Sequence, residues 1–203
     1  ETMVFSGALA HYAPFPLSHR KLFGEHNRHN AMAAVLASCA LAKSIDWNSL
    51  QRGYQEFQGL EHRLEWVAEH AGVTFIDDSK ATNDAAAATA VRAFDRPLIL
   101  LLGGRSKQGG YQNLLSVTGE RVRAIIPFGE ARQEIADAFV GKAAVQVQKG
   151  LKDALACAFA IAQPNDVVLL APACSSFDEF KNYQERGQVF KSIVRERIKG
   201  GGS

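Results

Sequence analysis

The sequence predicts an α/β fold, a mostly parallel sheet with helices on both faces, preceded by a helical segment. Three observations carry this. Apolar runs such as "PLILLLGG" (97–104) and "DVVLLAPA" (166–173) lack polar alternation, as strands buried on both faces do. Helical patterns separate these runs, as the crossovers between parallel strands require. Polar clusters follow the runs at 77–83, 103–110 and 172–183, where an open parallel sheet binds its ligands.

The first 25 residues read as irregular, with Pro14 and Pro16 close together. "NRHNAMAAVLASCALAK" (27–43) is rich in Ala, Leu and Met, holds no Gly or Pro, and reads as a helix. Asp46 has the chemistry to cap a second helix that places Leu50 and Tyr54 on one face. Gly59 breaks the pattern, and a domain boundary is expected there. "LEWVAEH" and "GVTFID" then read as two strands of a hairpin, turning at Ala71–Gly72. "ATNDAAAATAVRAF" is a helix with Thr82 or Asn83 as its N-cap and Asp84 in its first turn. "PLILLLGG" and "RAIIPFG" are strands, followed by the helix "EARQEIADAFV" and a short strand in "AAVQVQ". "LKDALACAFAIA" is a helix and "DVVLLAPA" a last buried strand. A long helix is expected from Ser176 to Lys199, with Gly187 as a candidate break. Together these give a Rossmann-like sheet.

The 203 residues carry 23 Lys and Arg against 21 Asp and Glu, a net charge of +2. No basic run is long enough to coat a phosphate backbone, so no nucleic acid partner is expected. Apolar stretches are too short to cross a bilayer and no signal peptide opens the chain. Cys39, Cys157 and Cys174 are odd in number, far apart and without a C-x-x-C, which fits free thiols in a reducing, cytoplasmic setting. The chain does not begin with Met and closes on "KGGGS", the composition of a flexible linker. The expectation is therefore a fragment, with residues 200–203 as a linker tail.

Each strand-end cluster offers anion-binding chemistry. Lys80 and Lys107 are compact cations on flexible stems, and Gly103, Gly104, Gly109 and Gly110 let backbone approach a ligand. Ser176 and Glu179 have capping-box spacing, which predicts a helix N-terminus there. Asp78 suits ribose hydroxyls or a metal-bound water. Singly, these are ordinary features: a solvated lysine, a glycine turn, a helix cap. Gathered on one rim, they favour a binding site. His26 and His29 lack a third ligand and make weak evidence for zinc. Cys174 has no histidine near it in sequence, and reads as a buried thiol rather than a nucleophile. No G-x-x-x-x-G-K-[ST] and no G-x-G-x-x-G opening a helix is present.

"GEHNRHNAMAA", "LEHRLE", "DDSKATN", "LLGGRSK" and "LLAPACSSFDEFKNYQERGQVF" together resemble the C-terminal portion of the Mur ligase family, in its D-glutamate-adding branch. The resemblance covers nearly the whole chain, and "DDSKATN" is its most specific element. It implies that residues 1–59 are the C-terminal part of a central ATP-binding domain without its P-loop, and that residues 60–199 are the complete C-terminal ligase domain. It implies an ATP-dependent amide ligase of peptidoglycan precursor synthesis, whose substrates are D-glutamate, ATP and UDP-N-acetylmuramoyl-L-alanine. Asn27, Asn30, Arg63 and Asp78 fall on the family's ATP-binding positions. Lys80, Thr82, Lys107, Ser176 and Tyr183 fall on the positions around the amino-acid substrate, with Lys80 also placed near the reacting carboxyl group. Tyr183 stands where the family often has phenylalanine, and Arg105 where it often has aspartate. Mg2+ would be held mostly upstream, so no metal ligand is expected in this chain. The other partners implied are the missing N-terminal and central domains, with no membrane and a monomeric state; the fragment alone is expected to be inactive. Two alternatives stand beside this: a non-catalytic module that binds an acidic amino acid or nucleotide, and a folylpolyglutamate-type amide ligase, against which "DDSKATN" argues. A hinge is expected at Gly59 to Arg63.

Overall fold

A computed structural model of the chain describes residues 2–6, 13–19, 21–42, 44–107 and 110–200. Lys43, Gly109 and the tail 201–203, which figure in the sequence expectations, lie outside the described residues. The chain divides into two compact units, Glu1–Gly59 and Leu60–Ser203.

In the first unit, β1 (Thr2–Met3) pairs antiparallel with β2 (Phe15–Pro16), inside the stretch the sequence marks as irregular. Two helices follow, α1 (Glu25–Leu41) and α2 (Trp47–Glu56). Asp46 caps α2 as expected, accepting from the Asn48 and Ser49 N–H groups. Phe15 is fully buried, edge-on to Trp47 at 5.5 Å and to Tyr54 at 5.4 Å. Met3, Leu17, Val35 and Cys39 complete this small core.

The second unit is a six-stranded sheet. Its strands are β3 (Glu65–His70), β4 (Val73–Asp77), β5 (Leu98–Gly103), β6 (Val122–Phe128), β7 (Ala144–Val145) and β8 (Val167–Ala173), in the spatial order β3-β4-β8-β5-β6-β7. All neighbours are parallel except β3, which forms the expected hairpin with β4. Ala71 and Gly72 both take positive φ at its turn (49° and 76°), the conformation that matches the strands' own twist. The helices are α3 (Asp84–Arg92), α4 (Gln112–Val117), α5 (Arg132–Ala138), α6 (Leu151–Ile161) and α7 (Tyr183–Gly200). Ile99 and Leu101 pack in one cluster with Leu155 and Ala158 of α6 and Phe190 and Val194 of α7. Leu98, Leu100 and Leu102 alternate with them and are equally buried, so β5 is covered on both faces. That is why its sequence shows no polar alternation.

Three elements of this unit differ from expectation. The last helix begins at Tyr183, not Ser176, and runs through Gly187 without a break. Ser176 and Glu179 form no capping box, because residues 176–182 fold as turns that bond to neighbouring loops. There Asp178 Oδ2 accepts from Glu130 N–H (3.0 Å) and Glu179 Oε2 from Leu151 N–H (3.4 Å). Asn182 takes the capping role, its Oδ1 accepting from Glu185 N–H at 2.8 Å. The short helix α4 has no signal of its own; it forms where Asp84 of α3 accepts from the N–H groups of Asn113 and Leu114 (2.8 and 2.9 Å). Only Ala144 and Val145 of "AAVQVQ" form a strand, at the sheet edge.

Gly187 is a close-approach residue. A methyl group there would overlap His62 Nδ1 and stand 2.6 Å from Asp77 Oδ2. Gly187→Ala is therefore expected to destabilise the second unit by about 1–3 kcal/mol despite the better helix propensity of alanine. Gly53, exposed in α2, has nothing within 4 Å of the same position. Gly53→Ala is expected to raise the stability of the first unit by about 0.5–1 kcal/mol. Denaturant unfolding of both variants checks the two signs; a stabilised Gly187→Ala chain would contradict the packing argument.

Candidate functional site

The last strand, β8, lies between β4 and β5. Because all three are parallel, the clusters that follow them emerge side by side on one rim. Backbone bonds tie these ends together. Asp78 N–H donates to Leu170 O (2.8 Å) and Ala173 N–H to Ala81 O (2.9 Å). Arg105 and Ser175 exchange N–H···O bonds in both directions, at 2.9 and 3.1 Å. Gly104, with φ 127°, sits where a side chain would overlap the Ser175 carbonyl oxygen.

One side chain joins all three clusters. Arg186, three residues into α7, is fully buried beneath the rim. Its Nε donates to Ser79 Oγ (2.9 Å) and its Nη2 to Ser79 O (2.9 Å). Its Nη1 reaches Gly103 O and Cys174 O, both at 3.2 Å, and Nη2 also reaches Cys174 O. Burial draws the guanidinium down to about 10, far enough above neutrality for it to stay charged. Sequence reasoning missed Arg186. The available signal was its helical spacing from Tyr183, Phe190 and Val194, which puts a charge on the buried stripe.

A second buried network fixes the loop before β3 to the same rim. His62 Nδ1 lies 2.7 Å from Asp77 Oδ2, and Asp77 Oδ1 accepts from Ser79 N–H at 2.8 Å. The His62 N–H donates to Glu65 Oε2, and the buried Lys191 ammonium bridges Glu65 (3.0 Å) and Glu61 (3.2 Å). Lys80 N–H donates to His62 O. Residues 61–65 are thus held to the second unit. His62, Glu65 and Asp77 bring ligand atoms within 4.8 Å of one another. Lys191 already neutralises Glu65, and a hard cation such as Mg2+ prefers oxygen ligands to imidazole, so these residues do not fit it.

The structure places the expected residues unequally. Lys80 and Thr82 are half-buried on the loop after β4, and Lys80 Nζ donates to Tyr183 Oη at 3.1 Å. Asp78 is nearly buried, its Oδ1 accepting from Leu64 N–H at 3.3 Å. Its carboxyl is pushed up from 3.8 to about 7, by burial first and by the charge of Asp77 second. Lys107 and Arg63 are exposed, and Ser176 is buried. Asn83, not Thr82, caps α3, accepting from Ala86 N–H at 2.9 Å. Cys174 is buried with its thiol pushed up to about 11 by burial, which disfavours the reactive thiolate. In the first unit, Asn27 Nδ2 donates to Phe23 O and Asn30 is exposed on α1. Among the described residues no helix is long and apolar enough to cross a membrane.

Arg186→Met should lower the stability of the second unit by about 3–5 kcal/mol, since it leaves three buried carbonyl groups without their donor. Arg105→Ala, which removes only the exposed ion pair with Glu130, should cost less than about 1 kcal/mol. Equal losses in thermal unfolding would contradict the keystone role of Arg186. Asp78 gives a pH signature. Its folded-state value is the higher one, so its contribution to stability is full below 3.8 and lost as pH rises through about 7. Asp78→Asn should flatten that slope; an unchanged slope between pH 4 and pH 8 would show that another group causes it.

Residues 62–174 match the family model described as Mur ligase, glutamate ligase domain. The chain is 44% identical over 181 residues to a UDP-N-acetylmuramoylalanine--D-glutamate ligase of Syntrophus aciditrophicus, covering 89% of this chain and 40% of that protein. It is 39% identical over 180 residues to the ligase of the same name from Caldicellulosiruptor bescii, covering 88% of this chain and 39% of that protein. The chain thus spans about two-fifths of the length of these curated relatives. A solved UDP-N-acetylmuramate-alanine ligase from Thermotoga maritima superposes with a TM-score of 0.62 at 16% identity, covering 93% of this chain and 40% of that one. A folylpolyglutamate synthase from the same organism gives 0.60 at 18% identity, covering 86% and 40%. At such identities the two structures speak for the fold alone. With its mostly parallel sheet, its three-cluster rim and a family match over more than half its length, the chain belongs to the Mur ligase family.

Proposed function

We propose that this chain is the C-terminal portion of the ligase that adds D-glutamate to UDP-N-acetylmuramoyl-L-alanine, with its second unit binding the D-glutamate. The observation that carries the reading is the coincidence of the "DDSKATN" loop with two other polar clusters on one rim, in a chain about 40% identical to relatives of that name. In this reaction ATP supplies the phosphoryl group that activates the alanine carboxylate as an acyl phosphate. The D-glutamate amine attacks the acyl carbon, and phosphate leaves from the tetrahedral adduct. Such chemistry asks a protein for positioning and charge stabilisation, not for a covalent nucleophile. Buried Cys174 fits that division, since no thiolate is required.

The residues divide accordingly. Lys80, Thr82, Lys107, Ser176 and Tyr183 serve the amino acid, with Lys80 beside the reacting carboxyl group. Arg63 and Asp78 on the second unit, and Asn27 and Asn30 on the first, serve the nucleotide. With its carboxyl raised to about 7, Asp78 exists in both forms near neutral pH, and the protonated form can donate a hydrogen bond as well as accept one, which suits a ribose hydroxyl. Mg2+ ligands are assigned to the part of the ligase outside this chain, since the one compact group of candidate ligands described here is tied up by Lys191.

Two measurements on the 203-residue chain test this reading. Given ATP, UDP-N-acetylmuramoyl-L-alanine and D-glutamate, it should release no phosphate above background. Turnover would refute the assignment of phosphoryl transfer to another portion. Calorimetric titration should show D-glutamate binding more tightly than L-glutamate or D-aspartate. It should also show Lys107→Ala weakening D-glutamate by about tenfold, the value of one charge-assisted contact. Equal affinity for the two glutamate enantiomers would sink the D-glutamate assignment.

A further inference from the structure

Arg63 stands between two residues in a rare backbone conformation. His62 has φ 62° and Leu64 has φ 44°, both on the left-handed side, where a side chain crowds its own backbone. Neither is a glycine, which takes this region without strain. Both are buried, at 2% and 4% exposure, while Arg63 between them is exposed. Among the described residues the Arg63 guanidinium makes no hydrogen bond or ion pair, so its donors are open to a ligand.

Strain of this kind persists only where the surroundings hold it. Here the two aspartates that open the "DDSK" segment hold one shoulder each. Asp77 Oδ2 lies 2.7 Å from His62 Nδ1, and Asp78 Oδ1 accepts from Leu64 N–H at 3.3 Å. Backbone bonds add to this. His62 N–H donates to Glu65 Oε2 (2.9 Å), His62 O accepts from Lys80 N–H (3.2 Å), and Arg63 N–H donates to Leu60 O (3.2 Å). Asp77 is fixed in turn by Ser79 N–H, and Glu65 by the Lys191 ammonium. A turn that only joined Leu60 to β3 would need neither the strain nor two buried carboxylates. What the loop presents is one exposed guanidinium.

We infer that Asp77 is a positioning residue for Arg63: through the His62 ring it holds the strained loop that presents the guanidinium to a phosphate of the nucleotide. This rests on the nucleotide reading of Arg63, and goes beyond it by giving a role to Asp77 and His62, which that reading leaves unassigned. The guanidinium fork suits two oxygens of one phosphate. A fork whose backbone is already fixed loses less freedom when it binds, and so binds more tightly.

The test is nuclear magnetic resonance on the 203-residue chain, with ADP and inorganic tripolyphosphate as ligands. Before any ligand is added, the Arg63 amide should be as ordered as those of β4, with an order parameter near about 0.85; a value below about 0.6 overturns the inference without any variant. Both ligands should shift the Arg63 Nε–Hε resonance, and ADP should also shift Asp78. Arg63→Ala should weaken ADP by about tenfold and Asp77→Ala by about fivefold. The double variant should lose no more than Arg63→Ala alone, because Asp77 acts only through the arginine. A merely structural role would give independent losses that multiply. Asp77→Asn keeps an acceptor for Ser79 N–H and a polar group against the His62 ring, and should recover most of the loss. Should Asp77→Ala not fold, His62→Phe, which keeps a ring and removes its bond to Asp77, carries the same cycle. If the losses multiply, or if Arg63→Ala weakens ADP while Asp77→Ala and His62→Phe do not, the positioning role falls and the nucleotide reading stands. If tripolyphosphate binds as well as ADP with the same dependence on Asp77, the positioning role stands and the nucleotide reading falls. No shift at Arg63 with either ligand overturns the inference.

Discussion

The rim depends on one buried cation. Arg186 binds the carbonyl or hydroxyl oxygens of residues 79, 103 and 174, one from each of the three strand-end clusters. A guanidinium suits this position because its planar fork presents five donors in fixed directions; a lysine could not reach three loops at once. Its place in α7 carries consequences. Tyr183 lies one turn before it on the same helix face, so holding Arg186 beneath the loops also holds the Tyr183 ring above them. Gly187 follows it, and its missing side chain admits the helix to contact with the His62–Asp77 pair.

The "DDSK" segment shows how a short polar run can serve fold and site together. Asp77 and Ser79 are fully buried and bond to His62 and Arg186, so they hold the loop. Lys80 and Thr82 are half-buried and reach the surface of the rim. Asp78 lies between these roles: it is nearly buried, bonded to Leu64 N–H, and short of a strong cationic partner. Its raised carboxyl follows from that position, since the exposed Arg63 only partly offsets the burial. A sequence view sees four polar residues in a row, then Thr82 and Asn83 after Ala81, and cannot separate the ones that build the loop from the ones that reach the surface. The separation appears only when α7, a hundred residues later, covers one side of it.

Much of the fold was legible because it follows local rules. Apolar runs of five to seven residues became central strands; Asp46 and Asn83 became caps; Ala71–Gly72 became the hairpin turn. The common rim was legible too, since parallel strands must end on one side. Its order was not: β8 enters between β4 and β5 by a long-range pairing that no local pattern encodes. The start of α7 was misread for a similar reason. Ser176 and Glu179 have the spacing of a cap, but Asp178 and Glu179 are used to hold the loops before α5 and α6. Residues that bond to distant backbone cannot also begin a helix of their own. The helix α4 is the converse case, six residues with no cap of their own that depend on the carboxylate of Asp84 in α3.

The same keystone shapes the electrostatics of the rim. Arg186 gives its hydrogen bonds to neutral oxygens, three carbonyls and a hydroxyl, and to no carboxylate. Asp77, Asp178 and Glu179 act on it through space and not by contact. A charge buried in this way is stabilised by dipoles and offset only in part by carboxylates at a distance, and burial leaves its field less screened than that of a surface lysine. That field adds to those of Lys80 above it and Lys107 on the neighbouring loop. A half-protonated Asp78, two lysines and the arginine beneath give the rim positive character, which Asp77, Asp178 and Glu179 offset in part. The cation that closes the fold and the lysines of the rim thus act in one direction, as the proposed acidic ligand would require.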